Sequence, residues 1–307
     1  MQKRISRAVI LALLIVLPGM AAPAGRVQHV LLVSIDGARP DGLRQASLSF
    51  LLSEAAYTWN AQTIFPPKTI PAHTSMLTGL APEKHGVLFN EWQPSMGYVK
   101  VPTIFTVAKQ AGLRTAMFTG KEKFGLYADP AIIDKFESVP FYLDRPGWPR
   151  TGKTMEDVAR AAAAYIVSAK PQLIFVHFAD PDSVGHDSGW MSGPYLQTLQ
   201  RVPAALLILI RALREAGIGE QTLIIITADH GGKGRDHGTR NPEDMTIPWM
   251  AVGPGVKKNY QIQLPVVIYD TAPTILVALG LPLPAMDGKP LMEIFAAVRQ
   301  PVPVAGR

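Results

Sequence analysis

The chain has 307 residues, 48% of them hydrophobic, which is enough to bury the core of one large α/β domain or of two smaller ones. Its formal net charge is +6, but no cluster of Lys and Arg suggests a nucleic-acid-binding surface. There is no cysteine, which excludes thiolate metal sites and any nucleophile derived from Cys.

The first 24 residues have the three parts of a secretory signal. These parts are a charged start (Lys3, Arg4, Arg7), an apolar run (Ala8–Leu17) and a small-residue cleavage site (Ala22-Pro23-Ala24). The apolar run is about half the length that a bilayer span requires, and removing residues 1–24 would lower the net charge from +6 to +3. We therefore expect a cleaved signal peptide (1–24) and a single periplasmic or secreted domain (25–307) without a membrane span. An uncleaved anchor is the weaker alternative.

Apolar runs alternate with amphipathic segments along the rest of the chain, as in a buried parallel sheet with helices between its strands. The predicted strands are Val30–Ile35, Thr115–Thr119, Leu173–Phe178, Leu223–Thr227 and Trp249–Val252. The predicted helices are Asp41–Ala56, one that begins near Thr69, Thr103–Gln110, Met155–Ala169, Tyr195–Ala216 and Thr271–Leu279. This order favours a doubly wound α/β fold, with a mostly parallel sheet and helices on both faces. Phe89–Val101 and Pro140–Lys153 lack periodicity and are predicted to be loops or a small cap.

The stretch from Thr63 to Gly79 predicts a turn at Pro66-Pro67 followed by a helix with Pro71 in its first turn. A hydroxyl at Thr69 would then lie at the positive end of a helix, where backbone N–H groups favour an anion such as phosphate. Thr69 is therefore a candidate nucleophile, and a helix-capping role is the alternative.

Four further segments carry Asp and His residues, and such residues at the ends of strands are where ligands gather in these sheets. The candidate metal ligands are Asp36, Asp182 and His186 in DPDSVGH, Asp229 and His230 in TADHGG, and His237 in RDHGT. Zinc accepts this mixture of imidazole and carboxylate, whereas magnesium and calcium prefer oxygen alone. Together with Thr69 these are seven ligands, which require two ions. A capped or solvated turn is the alternative for each motif taken alone.

The same residues carry a resemblance to a known family. SIDGARPD, PPKTIPAHTSMLTGL, APEKHGV, DPDSVGHDSG, ITADHGG, DHGT and YDTAPTILVALGLPLPAMDGKPL occur in this order between about Val30 and Leu291. In that order they resemble the alkaline phosphatase superfamily, in its type I phosphodiesterase/nucleotide pyrophosphatase branch. The resemblance implies an alkaline phosphatase-like catalytic domain with two zinc ions. Asp182, His186 and His237 would hold one ion, and Asp36, Asp229 and His230 would hold the other beside Thr69.

This chemistry implies a small phosphorylated substrate and a covalent intermediate. Two cations can clamp an in-line displacement, one of them activating the attacking oxygen and the other neutralising the leaving oxygen. Sulfatases of the superfamily use a C/S-x-P-x-R pattern, which is absent at Thr69. Sulfate esters are therefore disfavoured.

The chain departs from the branch after the nucleophile, where Pro71 is followed by Ala72 instead of the usual Asn. An amide donor to a phosphoryl oxygen is thereby lost, so the transition-state charge must be met elsewhere. Lys121 and Lys123 are candidates to bind the substrate, because they resemble paired basic residues of monoesterase and phosphonoacetate hydrolase branches. A solvated surface pair is the alternative.

Other polar residues are assigned structural roles. His73 is expected to fix the turn through ring hydrogen bonds, His85 to end a helix, and His177 to be a satisfied core histidine. Asp180 is expected to accept a hydrogen bond from a ligand histidine and thereby orient its ring.

The main expectation is an exported two-zinc phosphodiesterase or nucleotide pyrophosphatase that acts through Thr69. A phosphomonoesterase or phosphonoacetate hydrolase-like enzyme that uses Lys121 and Lys123 is the first alternative. A catalytically dead protein that binds a phosphorylated ligand is the alternative from another class.

Overall fold

An eight-stranded sheet runs through the residues that the structure describes, 27–141 and 153–296 of a computed structural model. Its strands are β1 (His29–Ile35), β2 (Ala56–Gln62), β3 (Thr115–Thr119), β4 (Lys135–Ser138), β5 (Leu173–Phe178), β6 (Thr222–Thr227), β7 (Thr246–Val252) and β8 (Tyr260–Gln261). They lie in the order β4-β3-β5-β1-β6-β7-β2-β8. Only β7 runs antiparallel to its neighbours, β6 and β2, among the strands described. The predicted mostly parallel α/β sheet is confirmed.

Helices pack against this sheet in two layers. The α-helices described are α1 (Pro40–Leu43), α2 (Ser49–Leu52), α3 (Thr69–Thr78), α4 (Pro82–His85), α5 (Ile104–Gln110), α6 (Met155–Ala169), α7 (Asp180–Ser188), α8 (Gly193–Leu199), α9 (Val202–Glu215), α10 (Pro242–Met245) and α11 (Thr271–Ala278). α6 packs on α9, whereas α3, α5 and α11 contact one another. β3 contacts α5 from one layer and α6 from the other, so the sheet lies between them.

Two predicted helices are wrong in extent. Asp41–Ala56 is not one helix, because α1 ends at Leu43, α2 is a separate turn of helix and Ala56 already begins β2. The intervening segment contains Ser47, and α2 begins at Ser49; serine competes for backbone hydrogen bonds in helix interiors. Tyr195–Ala216 is divided into α8 and α9, with Pro203 in the first turn of the second helix, where its missing N–H costs little.

Three strands have no counterpart in the predicted set. β4 is a polar four-residue edge strand, β8 has only two residues, and β2 alternates irregularly between buried and exposed positions. None of them has the continuous apolar run that marks the central strands, so their pairing comes from tertiary context.

The stretch Gly193–Glu215 is long and apolar enough to cross a membrane by length and composition, although half of it is buried. Because α9 packs on α6, we interpret it as a core helix. The predicted signal peptide lies outside the described residues, as does most of the loop predicted for Pro140–Lys153. Phe89–Val101 is a loop, as predicted, with one short 3-10 turn at Pro94–Met96.

The sheet sets the position of the polar residues. Asp36 follows β1, Asp180 begins the helix after β5, and Asp229 comes two residues after β6. β5, β1 and β6 are adjacent and parallel, so their carboxyl ends meet at one edge. Gly37 has a φ of +67°, and a Cβ there would lie 2.9 Å from the Cα of Asp182. Glycine therefore allows the β1 and β5 segments to approach closely at this edge.

His85 ends α4, as predicted, and gives the fold a pH dependence. Its Nδ1 accepts from the Val87 N–H, its Nε2 lies 3.0 Å from Ser75 Oγ, and burial lowers the pKa of His85 from 6.5 to about 4. Because the unfolded chain binds this proton more readily, the free energy of unfolding should be highest above pH 6.5 and fall between pH 6.5 and 4, by up to about 3 kcal/mol. Urea unfolding across this range should show a shallower loss for His85→Gln, and equal losses would contradict the assignment.

Candidate metal centre and nucleophile

Thr69 is the first residue of α3 and is 1% exposed. The cap position belongs to Lys68, whose side chain makes no capping hydrogen bond. The Thr69 hydroxyl lies 3.5 Å from the ammonium of Lys121. His73 Nδ1 lies 2.7 Å from the Thr69 carbonyl oxygen and its Nε2 2.8 Å from Ser34 Oγ, which confirms its role in fixing the turn.

Two groups of three residues each could hold a metal ion. The first group is Asp182, His186 and His237, and the second is Asp36, Asp229 and His230. Within each group, one ligand atom from each residue lies within 4.8 Å of the others. The groups adjoin, since His230 Nε2 lies 3.9 Å from Asp182 Oδ1 and the His230 and His237 rings stack with centroids 3.7 Å apart. These are the two sets that the resemblance implied, and their role as ligands remains a prediction.

Hydrogen bonds to backbone carbonyls orient all three histidines in the same way. Nδ1 of His186 donates to Arg235 O at 3.0 Å, that of His230 to Gly231 O at 2.8 Å, and that of His237 to Pro67 O at 2.8 Å. A carbonyl oxygen only accepts, so each Nδ1 carries a proton, and in the neutral ring Nε2 carries the lone pair. This is the tautomer that binds a metal through Nε2.

Several buried atoms in these groups have no hydrogen-bond partner among the described residues. They are Asp36 Oδ1, Asp182 Oδ1, Asp229 Oδ2 and His230 Nε2. Buried polar atoms are nearly always paired, because desolvation without a partner is costly. Two divalent cations would satisfy all four atoms, and the mixed carboxylate and imidazole donors suit zinc. The residues therefore fit a two-metal centre.

The pKa shifts of the candidate ligands also indicate a site for cations. Burial and the neighbouring Asp36 raise the pKa of Asp229 well above its ordinary value. Burial alone would raise the pKa of Asp36 too, but Lys121 and His177 hold it well below that value. Burial lowers the pKa of His230 to about 3. Asp36 and Asp182 thus share the Lys121 ammonium, and ionisation of Asp229 would add a third buried negative charge, which cations would offset.

His177 and Asp180 lie near the candidate ligands, and the predictions made for them have different outcomes. His177 is fully buried in β5, and its Nε2 donates to Asp36 Oδ2 at 2.9 Å, so it supports a candidate ligand directly. The expectation for Asp180 is wrong, because its Oδ1 accepts from the Met155 N–H at the start of α6 and not from a ligand histidine. Burial raises the pKa of Asp180 to about 7.

The two lysines occupy different places. Lys121 Nζ lies 2.6 Å from Asp36 Oδ2 and 2.6 Å from Asp182 Oδ2, between the two metal groups. Burial would lower its pKa, but the two carboxylates raise it above its ordinary value. Lys123 Nζ donates to the Asn90 carbonyl at 3.1 Å. The surface-pair alternative is therefore wrong for Lys121, whose side chain is 17% exposed.

Asn90 is a site residue that the sequence reasoning missed. Its Oδ1 accepts from the Ile70 N–H at 3.0 Å, which anchors the side-chain amide beside Thr69. Position 72, where an amide was expected, is a fully buried alanine within α3. The loop bearing Asn90 is held by Trp92, whose ring fills the space where Gly125 has no Cβ. Because Trp92 and Gly125 are distant in the sequence, the spacing of sequence motifs does not predict this contact.

Asp244 was also missed, and it holds the loop that carries His237. Its Oδ2 accepts from the Thr239 N–H at 2.8 Å and from the Thr239 hydroxyl at 2.7 Å. We expect Asp244→Ala to lower zinc affinity about 10- to 100-fold by loosening this loop. Competition with a chelator would measure the loss. Glu243→Gln is the matched control, since that neighbouring carboxylate pairs with Lys233 at 3.0 Å, and equal affinity in both variants would contradict the role.

The parallel sheet, with its two ligand groups beside a buried threonine, defines a protein of the alkaline phosphatase superfamily. Comparison with known proteins identifies the branch. The chain belongs to the type I phosphodiesterase/nucleotide pyrophosphatase family, whose model matches residues 30–245.

Curated relatives agree with this placement. Human ectonucleotide pyrophosphatase/phosphodiesterase family member 1 is 29% identical over an alignment of 238 residues that covers 68% of this chain and 24% of that protein. Venom phosphodiesterase 2 of Crotalus adamanteus is 25% identical over an alignment of 235 residues that covers 68% of this chain and 27% of that one. The chain thus spans about a quarter of the length of these relatives.

Solved structures share the fold. An inactive form of murine ectonucleotide pyrophosphatase/phosphodiesterase 5 in complex with AMP aligns with a TM-score of 0.72 at 16% identity, covering 88% of this chain and 100% of that one. A 2-O GAG sulfatase aligns with a TM-score of 0.71 at 16% identity, covering 90% of this chain and 74% of that one. At this identity the likeness concerns the architecture alone.

Proposed function

We propose that this chain is an exported, zinc-dependent hydrolase of phosphoric esters, of the phosphodiesterase/nucleotide pyrophosphatase type, with Thr69 as its nucleophile. The observation that carries the proposal is the convergence of one buried hydroxyl with two ligand groups whose inward atoms lack partners. Residues 25–307 would form one catalytic domain after removal of residues 1–24, in the periplasm or outside the cell.

The reaction would proceed in two displacements. The Thr69 oxygen attacks phosphorus, the bond to the leaving oxygen breaks, and a covalent phosphothreonine forms. Water then attacks the same phosphorus from the vacated side and releases Thr69. When bound, two zinc ions would activate the attacking oxygen and neutralise the leaving one.

The chain's own residues position these steps. His73 binds the Thr69 carbonyl and fixes the first turn of α3, whose positive end favours the phosphoryl anion. The Asn90 amide, anchored on the Ile70 N–H, supplies the neutral donor that Ala72 cannot. An amide fixed in this way stabilises charge without having to reorganise during the reaction.

A second candidate function is hydrolysis of a phosphomonoester or a phosphonate. It is favoured by Lys121, whose ammonium lies 3.5 Å from the Thr69 hydroxyl, and by Lys123, which binds the carbonyl of Asn90. A lysine as close to the nucleophile as Lys121 suits a terminal group with two negative charges better than a diester with one. A dead site that only binds a phosphorylated ligand is the less favoured reading, since every proposed ligand is present.

The two activities separate in one experiment on the zinc-loaded protein. We would compare kcat/KM for a nitrophenyl monoester, a bis-nitrophenyl diester and phosphonoacetate. The diesterase proposal expects the diester to be preferred and Lys121→Ala to impair it only moderately. A monoester or phosphonate preference that collapses in Lys121→Ala would establish the second candidate. A protein that binds a phosphorylated ligand but hydrolyses none of the three substrates would favour the dead site.

A further inference from the structure

Lys121 occupies an unusual position for a substrate-binding residue, because its ammonium lies between the two metal groups. Its 2.6 Å contacts reach one carboxylate of each group, Asp36 of the second and Asp182 of the first. The side chain is 17% exposed, and Asp36 is fully buried. A single ammonium therefore joins the two halves of the centre.

The backbone places Lys121 there. Gly120 directly follows β3, and a Cβ at this position would lie 2.7 Å from the Cβ of Ala179, which directly follows β5. The missing side chain lets the two strand ends approach, so that Lys121 follows directly alongside the segment that carries Asp182. The Thr119 hydroxyl donates to the Lys121 carbonyl at 3.0 Å and fixes the turn.

Lys121 uses only one oxygen of each carboxylate. The contacted atoms are Asp36 Oδ2 and Asp182 Oδ2, whereas both Oδ1 atoms have no hydrogen-bond partner within residues 27–141 and 153–296. Asp36 Oδ1 lies 3.4 Å from His230 Nε2, and Asp182 Oδ1 lies 3.6 Å from His237 Nε2. The ammonium thus sits beside the candidate ion positions, close enough to repel any cation that enters them.

We propose that Lys121 is a resident counter-cation of the metal centre, which holds Asp36 and Asp182 in place before metal arrives and weakens the affinity for the ions. This inference rests on the proposed two-metal function. The ions would bind despite repulsion by a fixed positive charge. A phosphorylated substrate would then help to balance that charge. Removing the ammonium should destabilise the metal-free protein and tighten metal binding.

The experiment measures zinc affinity and melting temperature, not activity. Zinc-stripped parent, Lys121→Met and Lys121→Arg would be titrated with zinc against a chromogenic chelator. Lys109→Met is the matched control, because it also removes one positive charge and one Lys–Asp pair, at the opposite end of β3. We expect Lys121→Met to bind zinc about tenfold or more tightly and to melt about 5 °C or more lower without metal. Lys121→Arg and Lys109→Met should bind zinc like the parent.

Each outcome decides the inference. If Lys121→Met binds zinc no more tightly than Lys109→Met, the counter-cation role is wrong. If Lys121→Met folds only with metal, the zinc-loaded protein is equilibrated with increasing concentrations of chelator instead. Retention of zinc at a chelator concentration that strips the parent supports the role. Loss of zinc at the same chelator concentration overturns it. A parent that binds no zinc and turns over no phosphoric ester would instead overturn the proposed function.

Discussion

Replacing Thr69 by Ala is expected to lower kcat at least about 10³-fold on every phosphoric ester that the protein cleaves, because removing a covalent nucleophile leaves only binding and electrostatic contributions. Thr69 is 1% exposed and is the first residue of α3, so the substitution removes the hydroxyl and a buried methyl group. The six Asp and His ligands remain, so both zinc ions should still bind, although without the Thr69 oxygen as a ligand. Steady-state kinetics on the zinc-loaded protein would measure the effect.

Two companion variants separate chemistry from shape. Thr69→Ser keeps the oxygen and should retain much more activity than Thr69→Ala, whereas Thr69→Val keeps the shape and should be as impaired as Ala. Acid quenching during turnover, followed by peptide mass spectrometry, should find a phosphoryl adduct on Thr69 of the parent. Near-normal activity in both Ala and Val variants would show that another group attacks phosphorus.

The central part of the fold could be predicted from sequence because its strands are buried on both faces. β3 and β5 have the predicted bounds, and α6 matches its predicted range, Met155–Ala169. The edges of the sheet could not be predicted, since β4 is polar and β8 has two residues. Such strands form only because a neighbour presents unpaired backbone groups, and this information is absent from local sequence.

The candidate site also has a part that the sequence predicts and a part that it does not. Its Asp and His residues lie in segments that follow apolar strands, and the topology of a parallel sheet brings such segments together. Asn90 and Asp244 lie in loops, and their contacts with Ile70 and Thr239 depend on how those loops fold back. Lys121 was found as a candidate, but its place between Asp36 and Asp182 follows from the close approach of β3 and β5 at Gly120.

Stripping metal is expected to abolish hydrolysis and lower the melting temperature, and zinc should restore both. Without ions, the buried Asp36 and Asp182 carboxylates share the Lys121 ammonium, and atoms of both groups remain desolvated without a partner among the described residues. Each ion at a hundredfold excess over its dissociation constant would add about 2.7 kcal/mol to the free energy of unfolding. For a chain of this size that is roughly 4–5 °C per ion. Calorimetry with and without a chelator, together with elemental analysis, would measure the change.

One variant from each group tests the two ion positions separately. His186 has a side chain that is 34% exposed, so His186→Ala should lose one zinc with little effect on the metal-free melting temperature. Asp229→Asn should lose the other zinc and melt at or above the metal-free parent, because the raised pKa of Asp229 means that its charged form is disfavoured there. The asparagine oxygen can still accept from the Gly37 and His230 N–H groups. If Asp229→Asn keeps two zinc ions and normal turnover, Asp229 does not hold a metal and the second group is wrongly assigned.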